Sequence, residues 1–578
     1  MPMPPRNATA KYLTPLVIGV TGHRDLVPSE IEELEHRVEQ LIAGLEQRFP
    51  NTPIRLMSAL AEGADRLAAR VALRRGLEVQ AVLPMPAKLY RDDFHTAETK
   101  AEFDELCSKS ELVELIPSEN GTSCKEFTGP NRDLAYAQAG IFISAHCHIL
   151  LALWDGKQSE RVGGTAQIIY FQHYDRLPGI AESVPRTSLF LTDDESDLVY
   201  HIPCSRVCSE NDNTKVEPSG PTWFTTYPDA PNLKDLPERY VRVFSRTDEF
   251  NADAGWYLSK QYLPLDTELP MPEIQNQESA QPVSRMFGIA DALADHFQKR
   301  VNFTLRSTHA LAVLTGLAFI LYSEVSNMNA LIFIFLAFLL TGIVIAAAAQ
   351  RRDWHRKYLD YRVLAEGLRV QFFWAIAGIR GEGQTKFAYD NFLRQRDMEL
   401  GWIRNVMRVA GTPSDSRRDS YNVSGLKFAI DNWIGGNGKR GQLDYYRSKA
   451  ILRGRVNRYT EWLASASLWV GILIACVLAF FLNAVGDSAR EPLIVLMGVL
   501  PLFAAVADAY TQRKASRELT KQYEFMEHVF SNARRRLDQS SGDNECREVL
   551  QGLGDAALTE HAEWILIHRD RKPDTSGI

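Results

Sequence analysis

Cysteine is scarce in this chain: seven residues, at positions 107, 124, 147, 204, 208, 476 and 546, in a length of 578. Their scattered spacing gives no paired framework, so the chain does not read as a disulfide-stapled secreted protein, and its thiols are expected to stay reduced. Cys204 and Cys208 lie near His201, but no second ligand pair follows them, and no metal site is expected there. An excess of basic charge is missing too. A net charge of −7 and a pI near 6.1 speak against a dedicated nucleic-acid binder. The opening residues, MPMPPRNATAKYLTP, hold no apolar core and no cleavage site, so no exporting leader is expected. The chain is too long for one hydrophobic core. Its mean hydropathy of −0.21 resembles that of a soluble protein, but the average hides a split. The first 300 residues read as ordinary globular sequence, whereas the second half contains four long apolar runs.

Those runs carry no formal charge between Arg306 and Glu324, across 327–350, across 462–486, and from Pro492 until Asp508 interrupts. A bilayer core of about 30 Å requires about 20 helical residues. Four transmembrane helices are therefore expected, at about 308–324, 328–350, 462–485 and 491–509. The connections at 323–328 and 486–491 are only a few residues long, so the spans form two helical hairpins. Both turns are poor in Lys and Arg. Basic residues collect on the other side: Arg351, Arg352, Arg356 and Lys357 after the second run, Lys449, Arg453, Arg455 and Arg458 before the third, and Arg513, Lys514 and Arg517 after the fourth. Cytoplasmic flanks concentrate such residues. A multi-pass protein of the inner (cytoplasmic) membrane is expected, with both termini and the middle segment inside.

The hairpins read as two copies of one unit. Arg300-Val301-Asn302 leads into the first span and Arg455-Val456-Asn457 into the third. A charged amphipathic helix follows each hairpin. Tyr361, Leu364, Ala365, Leu368 and Phe372 line one face of the first, and Leu519, Tyr523, Met526 and Phe530 one face of the second.

The N-terminal part alternates strands with helices. Short apolar runs at 15–20, 54–58, 79–83 and 149–154 read as buried strands. The helix after the first carries Ile31, Leu34, Val38, Leu41 and Ile42 as its apolar stripe, and AQIIYFQHY forms another after Gly163-Gly164-Thr165. This alternation implies a parallel α/β sheet covered on both faces. Ligands of such sheets bind beyond the carboxyl ends of the strands. Three of those ends carry small or glycine residues just before a helix, where backbone N–H groups and the helix N-terminus favour an anion. A phosphate-bearing ligand is expected.

These stretches, GVTGHRDL (19–26), SALAEGADRLAA (58–69), LALWDG (151–156) and GGT (163–165), resemble the SLOG superfamily of Rossmann-like nucleotide-binding domains. That superfamily includes DprA-type proteins, cytokinin-activating LOG enzymes and the N-terminal region of TRPM channels. The resemblance implies that Gly19, Thr21, Gly22, Ser58, Glu62, Gly63, Gly164 and Thr165 line a nucleotide cleft. His23, Arg24, Asp65, Asp155 and Gly163 complete the candidate set on the same loops, with Arg24 as phosphate partner. The hydrolysing LOG enzymes carry a longer PGGxGTxxE motif. Here Val162 replaces its Pro, and Gln167-Ile168 stands where the carboxylate is needed, so binding is favoured over catalysis and no catalytic residue is assigned. Glu62 and Asp65 are the remaining acid/base candidates.

The membrane half resembles SLATT modules, two-span helical effectors found beside SLOG and nucleotide-synthase genes in bacterial defence loci. The matching features are the basic helices at 351–374 and 511–537 and the closing AEWILIHRDRKP at 562–573. Two tandem copies depart from the simplest SLATT pattern. The expected organisation is a SLOG-like domain at 12–182, a connecting region at 183–285, a first hairpin module at 286–400, a cytosolic linker at 401–448 and a second hairpin module at 449–578. The expected function is a nucleotide-sensing membrane effector, pore-forming or membrane-perturbing. The rivals are a membrane-anchored nucleotide or nucleoside hydrolase and a DprA-like single-strand DNA binder. No nucleic-acid partner is expected, because 12–180 shows no basic, aromatic-rich groove. A homo-oligomer is expected: switching a two-state equilibrium from 1:99 to 99:1 takes about 5.5 kcal/mol, against about 1–3 kcal/mol for a typical coupled site.

Overall fold

A computed structural model describes residues 11–115, 118–119, 122–123, 129–158, 162–174, 196–207, 220–226, 233–260, 265–272, 278–324, 330–379, 387, 389, 392–393, 398–416, 423–435, 441–481, 486–514 and 516–569. The chain divides into two compact units, Met1–Ile289 with Gly367–Asn422, and Ala290–Glu366 with Val423–Ile578.

The strands are β1 (Leu16–Gly22), β2 (Ile54–Ser58), β3 (Glu78–Leu83), β4 (Glu111–Glu114), β5 (Ser118–Glu119), β6 (Thr122–Ser123), β7 (Ile149–Trp154), β8 (Val199–Pro203) and β9 (Thr222–Phe224). The helices of the first unit begin with α1 (Ile31–Arg48), α2 (Ala64–Arg74), α3 (Ala87–Arg91), α4 (Ala97–Ser108), α5 (Pro130–His146), α6 (Thr165–Tyr174) and α7 (Glu238–Leu258). Then follow α8 (Gln281–Glu324), α9 (Ala330–Arg351), α10 (Trp354–Ala377), α11 (Gly401–Ser416), α12 (Val423–Ala429), α13 (Gln442–Phe480), α14 (Asp487–Arg513), α15 (Ser516–Gln539) and α16 (Asp543–Arg569).

The first unit is built on a seven-stranded sheet of order β4-β3-β2-β1-β7-β8-β9, parallel except for β9. The central strands are buried on both faces, which is why they read as unbroken apolar runs such as LVIGV and ILLAL. Helix α1 buries Leu34, Val38, Leu41, Ile42 and Leu45 along one stripe. Within the connecting region, the sequence allows DLVYHIPCSRV and PTWFTTY to pair as strands of a small insert; β8 and β9 in these segments do pair, and β8 also adds to the principal sheet beside β7. Helix α11 belongs to this unit. Val409 enters the core cluster that contains Val17, Met57 and Leu150, and the rings of Phe250 and Trp402 lie 5.6 Å apart. Gly411 and Pro413 read in the sequence as the start of a loop running to Asp419, yet the helix continues through Pro413 to Ser416, because burial of Trp402, Ile403, Val406, Met407 and Ala410 carries it on. Gly435-Gly436-Asn437-Gly438 reads in the sequence as a turn, and beyond Gly435 it lies outside the described residues.

The second unit is helical. Four helices, Gln281–Glu324, Ala330–Arg351, Gln442–Phe480 and Ala489–Arg513, are long and apolar enough to cross a membrane. The chain is thus a multi-pass membrane protein with an α/β Rossmann-like unit and an all-α part. Small residues let the spans approach: Gly316 packs on Leu502, Gly498 on Ile320 and Gly471 on Pro501. Each hairpin is followed by a helix of 24 residues, α10 and α15. The first hairpin turn, 325–329, lies outside the described residues. Outside the spans, Arg362 joins Asp291 at 2.9 Å and Glu366 at 2.6 Å, while the fully buried Asp360 receives Arg356 at 3.2 Å.

Candidate functional site

Strand β1 sits between β2, which follows it in sequence, and β7, which joins after a crossover. This reversal makes the carboxyl ends of β1 and β7 the topological switch point, where open α/β sheets leave a crevice. The loops after β2, β1 and β7 carry Ser58 to Gly63, His23-Arg24 and Asp155-Gly156, and α6 begins at Thr165.

His23 stitches two of these ends together. Its backbone N–H donates to the Leu153 carbonyl at 3.1 Å, and its ring Nε2 accepts the Asp155 backbone N–H at 3.0 Å. An acceptor Nε2 means a neutral ring protonated at Nδ1. Burial, opposed by the nearby Asp155 carboxylate, lowers the His23 pKa and keeps the ring neutral. Asp155 Oδ1 accepts the Lys157 backbone N–H at 3.1 Å, closing the turn in which Gly156 takes a φ of +79°.

The loop after β2 is equally fixed. Ser58 Oγ accepts the Leu60 N–H at 3.1 Å, and Asp65 Oδ2 accepts the Ala61 N–H at 3.4 Å. Burial pushes the Asp65 carboxyl up to about 6, against the pull of the Ala61 amide and of Arg24. The buried Arg66 donates from Nε to the Leu60 carbonyl at 3.1 Å and lies 4.2 Å over the Phe94 ring. Gly63, at φ +79°, presses so closely on β1 that an added Cβ meets the His23 carbonyl oxygen at 2.4 Å and that of Arg24 at 2.5 Å. Ala64 N–H donates to the same His23 carbonyl at 3.0 Å.

Four glycines of the candidate set therefore have protein neighbours where a side chain would go. Besides Gly63, Gly22 faces Ala64 and the Leu153 carbonyl, Gly19 faces Cys147 and Ile143 at 2.8 Å, and Gly163 faces the α5 backbone at Ala137. Ser58 and Asp65 are buried in the loop scaffold. Thr21, Glu62, Asp155, Gly164 and Thr165 are half-buried, and Arg24 is exposed. Gly164 is the carbonyl that starts α6, accepting from Gln167 at 3.0 Å and Ile168 at 3.1 Å. The Gln167 side-chain oxygen accepts the Gly163 N–H at 3.0 Å, so this side chain closes its own turn.

Sequence reasoning missed the aromatic wall beside Arg24. The guanidinium lies 5.1 Å over the Tyr136 ring, whose hydroxyl donates to Asp93, which Arg132 also meets. Tyr90 packs 6.1 Å from Tyr136, with its hydroxyl buried and its pKa raised by burial. Both tyrosines sit in helices with no recognisable motif, YR in α3 and PNRDLAYAQAG in α5, so no local signal marked them. The thiol expected to be free, Cys204, is buried and pushed up to about 12 by that burial, and His201 Nε2 lies 2.9 Å from the Trp154 carbonyl oxygen. Cys208 lies outside the described residues.

No protein-family model matches the chain, and no curated protein sequence is similar to it. Over part of the N-terminal unit the chain is similar to a solved structure, DNA processing protein A (DprA) from Streptococcus pneumoniae. The identity is 16%, the match covers 28% of this chain and 46% of that one, and the TM-score is 0.18. The match takes in under half the length of the solved chain.

Proposed function

We propose that this multi-pass membrane protein binds a nucleotide-type anion at the switch point of its N-terminal sheet, and that its four spans deliver a membrane response to that ligand. The observation that carries the reading is the convergence of three short loops at adjacent carboxyl ends of parallel strands, with Arg24 exposed beside them and the N-terminus of α6 following Gly164. Half-buried Thr21, Glu62 and Thr165 are the side chains left to meet a ligand, Asp155 being engaged with His23 and the Lys157 amide, while the glycines keep the backbone close. Binding is favoured over turnover because Asp65 is buried against the Ala61 amide. A pore or a perturbed bilayer is the proposed output, since one span suffices to tether an enzyme.

Residues 1–289 and 367–422 share one core, so they stand on the same side of a membrane and the first two spans form a return pair. Basic flanks on that side support a cytoplasmic location for both.

The test is nucleotide binding by the full-length protein in detergent, wild type against Arg24→Glu. Losing a charge-assisted hydrogen bond costs about 1.5–3 kcal/mol, so affinity should fall by roughly 10- to 150-fold. Equal affinity for every nucleotide bound removes Arg24 and this crevice from the account. Turnover by wild type that Glu62→Gln abolishes replaces it with the hydrolase reading.

A further inference from the structure

Among the described residues, helix α13, Gln442–Phe480, is covered along one side. Gly471 packs on Pro501 of α14, Glu461 pairs with Arg517 of α15 at 2.7 Å, and Arg453 lies 4.9 Å over Tyr523. The other side is apolar and open along much of its length. Before the apolar run begins at Trp462, Leu452, Val456 and Tyr459 are 57%, 55% and 64% exposed. Within the run the same face continues through half-buried Leu463 and Ala466 to Val470, Leu473 and Phe480, which are exposed.

The spacing is regular. From Leu452 the steps alternate four and three residues, to 456, 459, 463, 466, 470, 473, 477 and 480. That is a heptad spacing held for four repeats, the pattern of a helix packing on another helix along its length, and it is sharpest at 452–459, where the residues between are Arg, Gly and Asn. Lipid cannot account for all of it. At 1.5 Å per residue, Val456 and Leu452 stand about 9 and about 15 Å outside Trp462. The headgroup layer on each side is only about 5–7 Å thick. An apolar face that runs unchanged in register from water into the bilayer needs a partner that does the same.

We propose that this partner is α13 of a second copy of the chain, paired in parallel about a two-fold axis normal to the membrane. Copies inserted in one orientation present the same helix at the same height, so the bilayer itself fixes direction and register. The seam residues suit two strands: Val456, Val470 and Val477 occupy one core position, with Leu452 and Leu473 at the other, and β-branched residues at the first with Leu at the second favour dimers. The flanking positions set no like charges against each other. Arg455 faces Thr460 of the second copy, and Arg453 is held over Tyr523 of its own chain. Lys449 at the preceding core position ends the seam on the aqueous side. The inference rests on the membrane placement of α13 and is independent of the nucleotide site.

Disulfide cross-linking of the full-length protein in native membranes tests it. In a Cys476→Ser background, Leu452→Cys, Val456→Cys and Tyr459→Cys should each form a covalent dimer of the 65.2 kDa chain under copper phenanthroline, several-fold more than Gly454→Cys or Asn457→Cys. Product at all five positions alike, or at none, overturns the seam. Photobleaching of singly labelled protein provides a second reading that no cysteine substitution affects. Two steps per spot for wild type and one for a Leu452→Glu, Val456→Glu variant support the pairing, and one step or more than two for wild type overturns it.

Discussion

His148 makes the first unit sensitive to acid, and the size of the effect follows from its surroundings. The residue stands just before β7, its Nδ1 accepts the Val17 N–H of β1 at 3.0 Å, and its own N–H donates to the Val17 carbonyl at 2.9 Å. Burial, reinforced by the Arg408 charge, lowers its pKa from 6.5 to about 3. Between those values the unfolded chain binds a proton that the folded chain refuses. Stability from this group is therefore complete above 6.5 and is lost as pH falls through that window. At pH 5 the loss is about 2 kcal/mol, or roughly 30-fold in an opening equilibrium, and it reaches about 4 kcal/mol near pH 3. His148→Asn keeps an oxygen that can accept the Val17 N–H and removes the titration. Hydrogen-exchange protection of the β1 amides, measured on full-length protein in detergent, should fall about 30-fold more in wild type than in the variant between pH 7 and pH 5. Burial-lowered His23 and His201, and burial-raised Asp65, titrate in both proteins and cancel in the comparison. Parallel pH profiles would refute the assignment of acid sensitivity to His148.

Three other outcomes are expected. Asp65, raised to about 6, binds its proton more readily folded than unfolded, so its contribution improves as pH falls below 6; Asp65→Asn should match or exceed wild-type stability at pH 7, by up to about 3 kcal/mol, with no gain left at pH 3.5. A clear loss of exchange protection at pH 7 in that variant would contradict the burial cost. Gly63→Ala adds a side chain at φ +79° against two backbone oxygens and should cost about 2–4 kcal/mol, seen as faster exchange of the Ala64 and Leu67 amides. Single cysteines near Asn327 and Ser488 should react with impermeant reagents on intact cells, and one at Ser416 should not; labelling at Ser416 from outside breaks the proposed orientation.

Much of the architecture was legible because its signals are local. The central strands are buried on both faces, so β1 and β7 announce themselves as apolar runs between turn residues. The four membrane helices each hold a long apolar stretch and need no partner to be recognised. Non-local packing was hidden. Helix α11 has a clear apolar stripe, but the sheet that covers it lies far away in sequence, so Gly411 and Pro413 read as loop residues. The candidate site was legible as a set of loops and obscure in its details. A glycine that lets a ligand approach and one that lets a neighbouring backbone approach look alike in sequence, and Gly22 and Gly63 have the second kind of neighbour. Tyr136 and Asp93 come to Arg24 from separate helices and loops, a meeting that only the fold produces.

The most direct test of the central claim is mass spectrometry of small molecules released by denaturing the full-length protein after gentle purification in detergent. The account predicts a nucleotide-type compound in wild type and its loss or strong depletion in Arg24→Glu at equal yield of inserted protein. Absence of any such compound from wild type, together with no binding when nucleotides are supplied, would contradict it.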